Sequence, residues 1–275
     1  MGAYSPPTSS RYATSTVLTT HEALNKLAII TVQSVFSGAG ATTIAANLSN
    51  ALLRQGTKLS TVDACSHNDL RLWYGMPLSQ SGGWALGYLD NISDSREFAF
   101  RSDFGATFLP LGEVNDNYDQ LTNRIESDPQ QWLSWLKAGS DDWLIINLPS
   151  HCTRLYQALI PYVDLHLGVW QAEPRVYPRM QQFIVKQNLH SEVPNAFVFQ
   201  ENGVAPQLEL NRDISNIINH ELADEVTSPV GIMRDQHVAE ALATQQSCYE
   251  YSIAASANAD FAELANWVVK RCSPA

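Results

Sequence analysis

The chain has no paired cysteine motif, no histidine-based metal motif, no long apolar run and no excess of basic charge. Its four cysteines, Cys65, Cys152, Cys248 and Cys272, lie far apart and form no C-x-x-C pair. That spacing offers no zinc site and suits free thiols in a reducing cytosol. The seven histidines are equally scattered, without H-E-x-x-H, so no metal site made of protein ligands alone is expected. No stretch reaches roughly 18 consecutive apolar residues, so no membrane-spanning helix is expected. Lysine and arginine total 17 against 28 aspartate and glutamate, a net charge of −11. That balance argues against a surface built to grip nucleic-acid phosphates. Residues 201 to 240 sharpen it, with eight acidic residues against only Arg212 and Arg234. They read as a solvated acidic face or, alternatively, a docking surface for a basic partner.

What remains is an ordinary globular composition, 45% hydrophobic and 16% charged over 275 residues, enough for a sizeable core. The opening "MGAYSPPTSSRYATSTVLTT" holds nine Ser/Thr and two prolines. It lacks the apolar core of a signal peptide, and residues 1–25 are expected to be a flexible tail. From about residue 27, strand-like and helix-like segments alternate. "KLAIITVQSV", "KLSTVDA", "WLIINLP", "DLHLGVW" and "NAFVFQ" read as strands. "YPRMQQFIVKQ", "QLELNRDISNIINHEL", "DQHVAEALATQQ" and "NADFAELANWVVKR" read as helices. Another helix begins at Thr42, where Ile44, Ala45, Leu48, Ala51 and Leu52 recur at helical spacing before Gly56. The alternation predicts one doubly wound α/β domain over 26–272, with a mainly parallel sheet and helices on both faces. In such a sheet, ligands bind beyond the carboxyl ends of the strands.

At the end of the first strand stands "SVFSGAGATTIAANLSN". It suggests a phosphate-binding loop, G-x-x-x-x-G-K-S/T, but Ala41 stands where the lysine should. One reading is a dinucleotide loop, with Gly38 and Gly40 opening a helix and Asp63 ending the next strand. The other is a P-loop in which the backbone N–H groups of Ser37, Gly38, Ala39, Gly40, Ala41, Thr42 and Thr43 cradle phosphates and the Thr42 hydroxyl meets Mg²⁺. A plain strand-to-helix turn without nucleotide is a third, and the loop alone does not choose.

The wider pattern does. "SVFSGAGATTIAANLSNALLRQGTKLSTVDAC" resembles the start of MinD/ParA-type ATPases, whose loop reads K-G-G-x-G-K-S/T-S/T before a helix, a strand and V-D-x-D. "VDACSHNDLRLWYGMP", "GGWALGYLD", "FLPLGEV", "DDWLIINLPS" and "MRDQHVAEALATQQ…ANWVV" extend the likeness to the BcsQ family of bacterial cellulose-secretion operons, from about residue 28 to 270. The resemblance implies a P-loop fold, a face-to-face dimer, and ATP or ADP with Mg²⁺ as cofactor, in a pocket that is either filled or empty. It also implies partners among cellulose synthase subunits or small operon-encoded proteins, and a cytoplasmic chain brought to the inner membrane by them. Direct membrane insertion and nucleic-acid binding are not expected. "FAELANWVV" reads as a last packed helix, not a membrane-binding one.

Matched to that family, Phe36 stands for the signature lysine that reaches a partner's phosphates, and Ala41 for the P-loop lysine. Cys65 replaces the second aspartate of V-D-x-D, which orients the attacking water, and Asn147 an aspartate near Mg²⁺. Phe36 is expected to pack against a partner as an apolar plug at the dimer interface. Arg179 matches an interface arginine able to face phosphate in trans, and Gln200 the adenine-recognising asparagine. "TSPVGIMRDQ" resembles the segment that wraps the adenine. With these departures no catalytic residue is expected, and the implied role is a non-hydrolysing scaffold. An active ATPase switch, a ParA-like DNA partition factor and a nicotinamide-dependent oxidoreductase are the competing readings.

Overall fold

A computed structural model describes residues 28–137, 143–150, 152–189, 196–222 and 226–272. The tail read at 1–25 lies outside these residues. The first strand, β1 (Ala28–Ser34), is followed by α1 (Ala41–Arg54), β2 (Leu59–Asp63), α2 (Trp84–Leu89), β3 (Phe100–Arg101) and β4 (Thr107–Leu109). Next come α3 (Tyr118–Ser127), α4 (Pro129–Leu136), β5 (Trp143–Leu148), α5 (Thr153–Leu159) and β6 (Leu165–Trp170). The chain ends with α6 (Val176–Lys186), β7 (Phe197–Val204), α7 (Glu209–Glu221), β8 (Ile232–Met233), α8 (Gln236–Ala243), α9 (Cys248–Tyr251) and α10 (Ala257–Cys272).

The strands form one sheet of eight in the order β3-β4-β2-β5-β1-β6-β7-β8. All neighbours are parallel except β3 and β4. The chain is therefore the expected α/β protein with a mainly parallel sheet. β1 lies inside, between β5 and β6. Its run "AIITVQS" is buried from Ile29 to Ser34, the polar Thr31 and Gln33 included, because both faces are covered, as is usual for parallel strands.

On one face, Ile44, Leu48 and Leu52 of α1 join Phe261, Leu264 and Val268 of α10 above Ile30 and Val32. "FAELANWVV" is thus a packed helix, as read. On the other face, Trp84, Trp132 and Leu133 cover Ile29, Leu144 and Ile146. A third cluster gathers Phe36, Trp170, Phe183 and Phe197. Each fully buried leucine or isoleucine removed from water contributes about 1.5–3 kcal/mol, so α1 is held chiefly by its apolar face. Its end is set by Gly56 at φ 86°. There Gly56 N–H donates to Leu53 O at 2.9 Å and Thr57 N–H to Leu52 O at 3.2 Å. This paired closure needs a residue at positive φ, which glycine adopts without a Cβ penalty.

Candidate nucleotide site

The carboxyl ends of β1, β2 and β5 meet at one point, because the sheet register aligns Asn147 with both Val32 and Asp63. Beyond β1 the chain turns away at Phe36, with Ala39 N–H donating to Phe36 O at 3.2 Å. Gly38 and Gly40 sit at φ 90° and 97°, a region that side chains disfavour. Asn202 Nδ2 donates to Ala39 O at 3.0 Å, tying β7 to the loop. A Cβ at Gly40 would collide with that same nitrogen. Ala41 N–H is taken by Ser34 Oγ at 3.1 Å, and Ile44 N–H reaches Gly40 O at 3.0 Å. Between them, the N–H groups of Thr42 and Thr43 fall in the first helical turn, where no preceding helical carbonyl serves them. They and the helix dipole favour an anion there.

Beneath the loop lies a polar knot. Asn147 Nδ2 stands 3.0 Å from Asp63 Oδ1, 3.3 Å from Cys65 Sγ and 3.4 Å from Thr42 Oγ1. Asp63 is fully buried and also accepts from the N–H groups of Cys65 at 3.0 Å and Leu70 at 3.1 Å. Burial pushes its carboxyl up to about 6, against the opposing pull of these hydrogen bonds. Burial, then the neighbouring Asp63, push the Cys65 thiol well above its ordinary range, so it stays protonated at neutral pH. Asn147 Oδ1 is buried without a hydrogen-bond partner.

The knot opens into a cavity of about 360 Å³, bordered by Gly38, Gly40, Thr42, Cys65 and Asn147, with His67 and Asp69 at its exposed side. Among the described residues, no lysine or arginine lines it. The residues present fit a polyphosphate with hydrated Mg²⁺. The helix-terminal amide of Thr42 can meet an anion, its hydroxyl can meet the metal or its waters, and the orphaned Asn147 oxygen can accept from a metal-bound water. The loop of residues 36–43 itself carries no lysine or arginine.

The expected site residues divide. Ser37, Gly38, Gly40, Ala41, Thr42 and Asn147 border this cavity, and Asp63 supports it from below. Ala39 points into the core, fully buried, and contributes backbone only. Thr43 is half-buried on α1 and does not border the cavity. Arg179, exposed in α6, donates to Gln182 Oε1 at 3.1 Å and borders a separate cavity beside Phe36. Gln200 is fully buried in mid-β7, where its Nε2 donates to Val230 O at 2.7 Å and Glu201 O at 2.8 Å. It touches the "TSPVGIM" segment but not the cavity.

One expectation needs correction. Phe36 is only 7% exposed and packs within its own chain, in the cluster with Tyr156, Trp170 and Phe183. A ring already covered this far cannot serve as a plug into a partner. Sequence reasoning missed Asn202 and Arg175. Asn202 could have been found from strand alternation, which puts it on the same face of β7 as Gln200 but one step nearer the ligand end. Arg175, whose guanidinium carbon lies 5.1 Å from the Phe36 ring centroid, carried no motif.

Comparison with known proteins bears on the family and the fold. The family model described as "Cellulose biosynthesis protein BcsQ" matches residues 27–269. The cellulose biosynthesis protein BcsQ of Escherichia coli K12 is 28% identical over 252 residues, covering 88% of this chain and 94% of that protein. Among solved structures, the cell-division ATPase MinD of Pyrococcus furiosus superposes with a TM-score of 0.68 at 18% identity, covering 88% of this chain and 98% of that one. Cobyrinic acid a,c-diamide synthase of Mycobacterium smegmatis, with bound ATP analog and magnesium, does so at 0.67 and 18%, covering 90% and 98%. The two structures share the fold. The match over nearly the whole described chain decides the family: this protein belongs to the cellulose biosynthesis protein BcsQ family.

Proposed function

We propose that the protein is a nucleotide-binding, non-hydrolysing scaffold of a bacterial cellulose-secretion complex, built on the MinD/ParA fold. The observation that carries the reading is the Thr42–Asn147–Asp63–Cys65 knot. Phosphoryl transfer to water needs a group that orients the nucleophile and cations that spread the developing charge. Here the thiol is protonated, Asp63 is occupied by three donors, and Asn147 donates where a carboxylate would accept. Binding needs less: the amide and hydroxyl of Thr42 and Asn147 Oδ1 supply it. The ATP analog and magnesium bound in the M. smegmatis synthase support ATP or ADP with Mg²⁺ as the ligand. A bound Mg²⁺ would neutralise phosphate charge, with Thr42 and Asn147 as the residues to hold it or its waters.

The same reading makes the protein a dimer across the nucleotide faces. No helix among the described residues is long and apolar enough to cross a membrane. Residence at the inner membrane would come through cellulose synthase subunits or small operon-encoded partners. The test combines ATP and ADP binding by calorimetry with steady-state phosphate release at concentrations where light scattering shows dimers. Micromolar binding without turnover is expected, and Ala41→Lys should tighten ATP binding without restoring turnover. Sustained turnover by the wild type sinks the scaffold reading and promotes an ATP-driven switch.

A further inference from the structure

At the far end of α1 from Thr42, two adjoining cavities of about 340 and 370 Å³ share Asn50, Arg54 and Tyr249 and make one groove. Asn258 of α10 walls the first cavity, and Phe104 and Ile253 wall the second. Ile253 is 74% exposed, the most of any large apolar side chain among the described residues. Two polar groups in the groove lack partners. Asn50 is 4% exposed, yet its side-chain amide has no hydrogen-bond partner among the described residues. Its neighbour Asn47 is satisfied: Nδ2 donates to Thr43 O at 3.0 Å and Oδ1 accepts from Cys248 N–H at 2.8 Å. An amide as buried as Asn50 normally finds such partners. Arg54 lies over the Tyr249 ring, its guanidinium carbon 3.2 Å from the centroid, and has no carboxylate partner among the described residues. Glu250, on the same wall, is spent on the cap of α9, accepting from Ser247 N–H at 3.1 Å and Ser247 Oγ at 2.8 Å.

We propose that residues 17–27 of the same chain fold back across this groove. Glu22 ion-pairs with Arg54, main-chain groups of the segment complete the Asn50 amide, and Val17 and Leu18 cover the side formed by Phe104 and Ile253. Three observations single out this occupant. The first is where the segment ends: it runs into β1 at Ala28. Ala28 and Leu59 both pair with Trp143, so the chain enters the sheet level with the start of β2 and about 10 Å from it. Arg54 closes α1 at that same end, just before the Gly56 turn into β2. The second is reach. Residues 22–27 extended span about 20 Å, long enough to climb from β1 onto the helix packed over it. The third is charge: Glu22 is the only carboxylate side chain in residues 1–27, and Arg54 is the cation without one. A segment tethered at Ala28 also meets the groove at an effective concentration on the order of millimolar, so weak contacts suffice to hold it.

The experiment is hydrogen–deuterium exchange of the full chain, read on peptides covering residues 17–27. It compares wild type with Glu22→Gln, Asn50→Ala, Arg54→Glu and the swap Glu22→Arg/Arg54→Glu. Arg54 is exposed and Glu22 precedes the described residues, and thermal melts verify that every variant folds. In wild type the segment should exchange about tenfold or more slowly than an unstructured chain, at any protein concentration. Glu22→Gln should cut that protection about two- to fivefold, the scale of an exposed ion pair, and Asn50→Ala by a similar factor. Arg54→Glu should cut it further, and the swap should restore it to near the wild-type level. Exchange of wild-type residues 17–27 at the unstructured rate overturns the proposal and leaves the groove to a partner chain. Protection that vanishes on dilution overturns it as well, because the segment would then come from a second copy. So does protection that survives both Arg54→Glu and Asn50→Ala unchanged, because the segment would then be docked elsewhere.

Discussion

Changing Asn147 to Asp is the sharpest test of the polar knot. The substitution adds no bulk but places a second carboxyl 3.0 Å from Asp63 Oδ1, with both residues essentially buried. Two ionised carboxylates at that distance repel by about 5–6 kcal/mol at an effective dielectric of ~20. Keeping one of them protonated at pH 7 costs less, about 4 kcal/mol, from an unfolded pKa near 3.9. Protonation wins, and the variant folds with one shared proton, whose O–H donates to Asp63 as the amide did. The destabilisation relative to wild type is then bounded at about 4 kcal/mol at pH 7 and falls to about 1.5 kcal/mol at pH 5. The sign follows from linkage. The folded variant holds a proton that the unfolded chain has lost, so its stability declines as pH rises above about 4 and recovers on acidification. Urea unfolding at pH 7 and pH 5 reads this directly. Added Mg²⁺ should offset the pH 7 loss, because a divalent ion is the other way to neutralise a carboxylate pair. A variant as stable as wild type at pH 7, or equally destabilised at both pH values, would refute the contact.

Two further tests address the frame. Asn202→Ala should cost about 1–3 kcal/mol by stranding Ala39 O, and Gly40→Ala should cost more than the typical ~1 kcal/mol because positive φ and the Asn202 nitrogen both oppose a Cβ. A double-mutant cycle in urea should find them coupled, the double variant losing less than the sum; strict additivity would separate Asn202 from the loop. His166 is fully buried, bonded to Thr31 Oγ1 at 2.6 Å, and burial pushes its pKa down to about 3. The unfolded chain takes up this proton first, so His166 withdraws stability as pH falls from about 6.5 towards 3. His166→Phe should flatten that limb of the stability curve, and an unaltered limb would mean the imidazole is solvated.

The parts of this fold that were legible in the sequence are those whose signal is local. The apolar run ending at Ser34, the 3.6-residue stripe from Ile44 to Leu52, Gly56 and the terminal helix each carry their instruction within a few turns of chain. The carboxyl ends of the strands, once placed, brought Thr42, Asp63 and Asn147 together as a parallel sheet must. What stayed hidden depends on chain distant in sequence. The Asn202 clamp spans 163 residues. Phe36 looked available to a partner because nothing near it shows that Tyr156, Trp170 and Phe183 close over it. Strands β3 and β8, two residues each, are too short to hold a periodic pattern.

The departures in the site are chemically coherent with one another. A carboxylate at position 147 would press against Asp63 whenever no cation lay between them, so the cradle's shape would depend on metal. The amide reverses that contact: Asn147 donates to Asp63, and attraction replaces repulsion without any ion. Cys65 fits the same logic, since a neutral thiol beside Asp63 adds no further negative charge. An uncharged Ala41 at the start of the helix is compatible with this arrangement, because fewer anionic groups around a bound phosphate leave less need for a cation to organise them. An active ATPase requires the opposite arrangement, with charges that are unfavourable until nucleotide and metal arrive and that lower the barrier when they do. A cradle whose Asn147–Asp63 contact forms without a ligand keeps that contact through binding and release. Such constancy is what the proposed non-hydrolysing reading requires, and turnover by the wild type would argue against both.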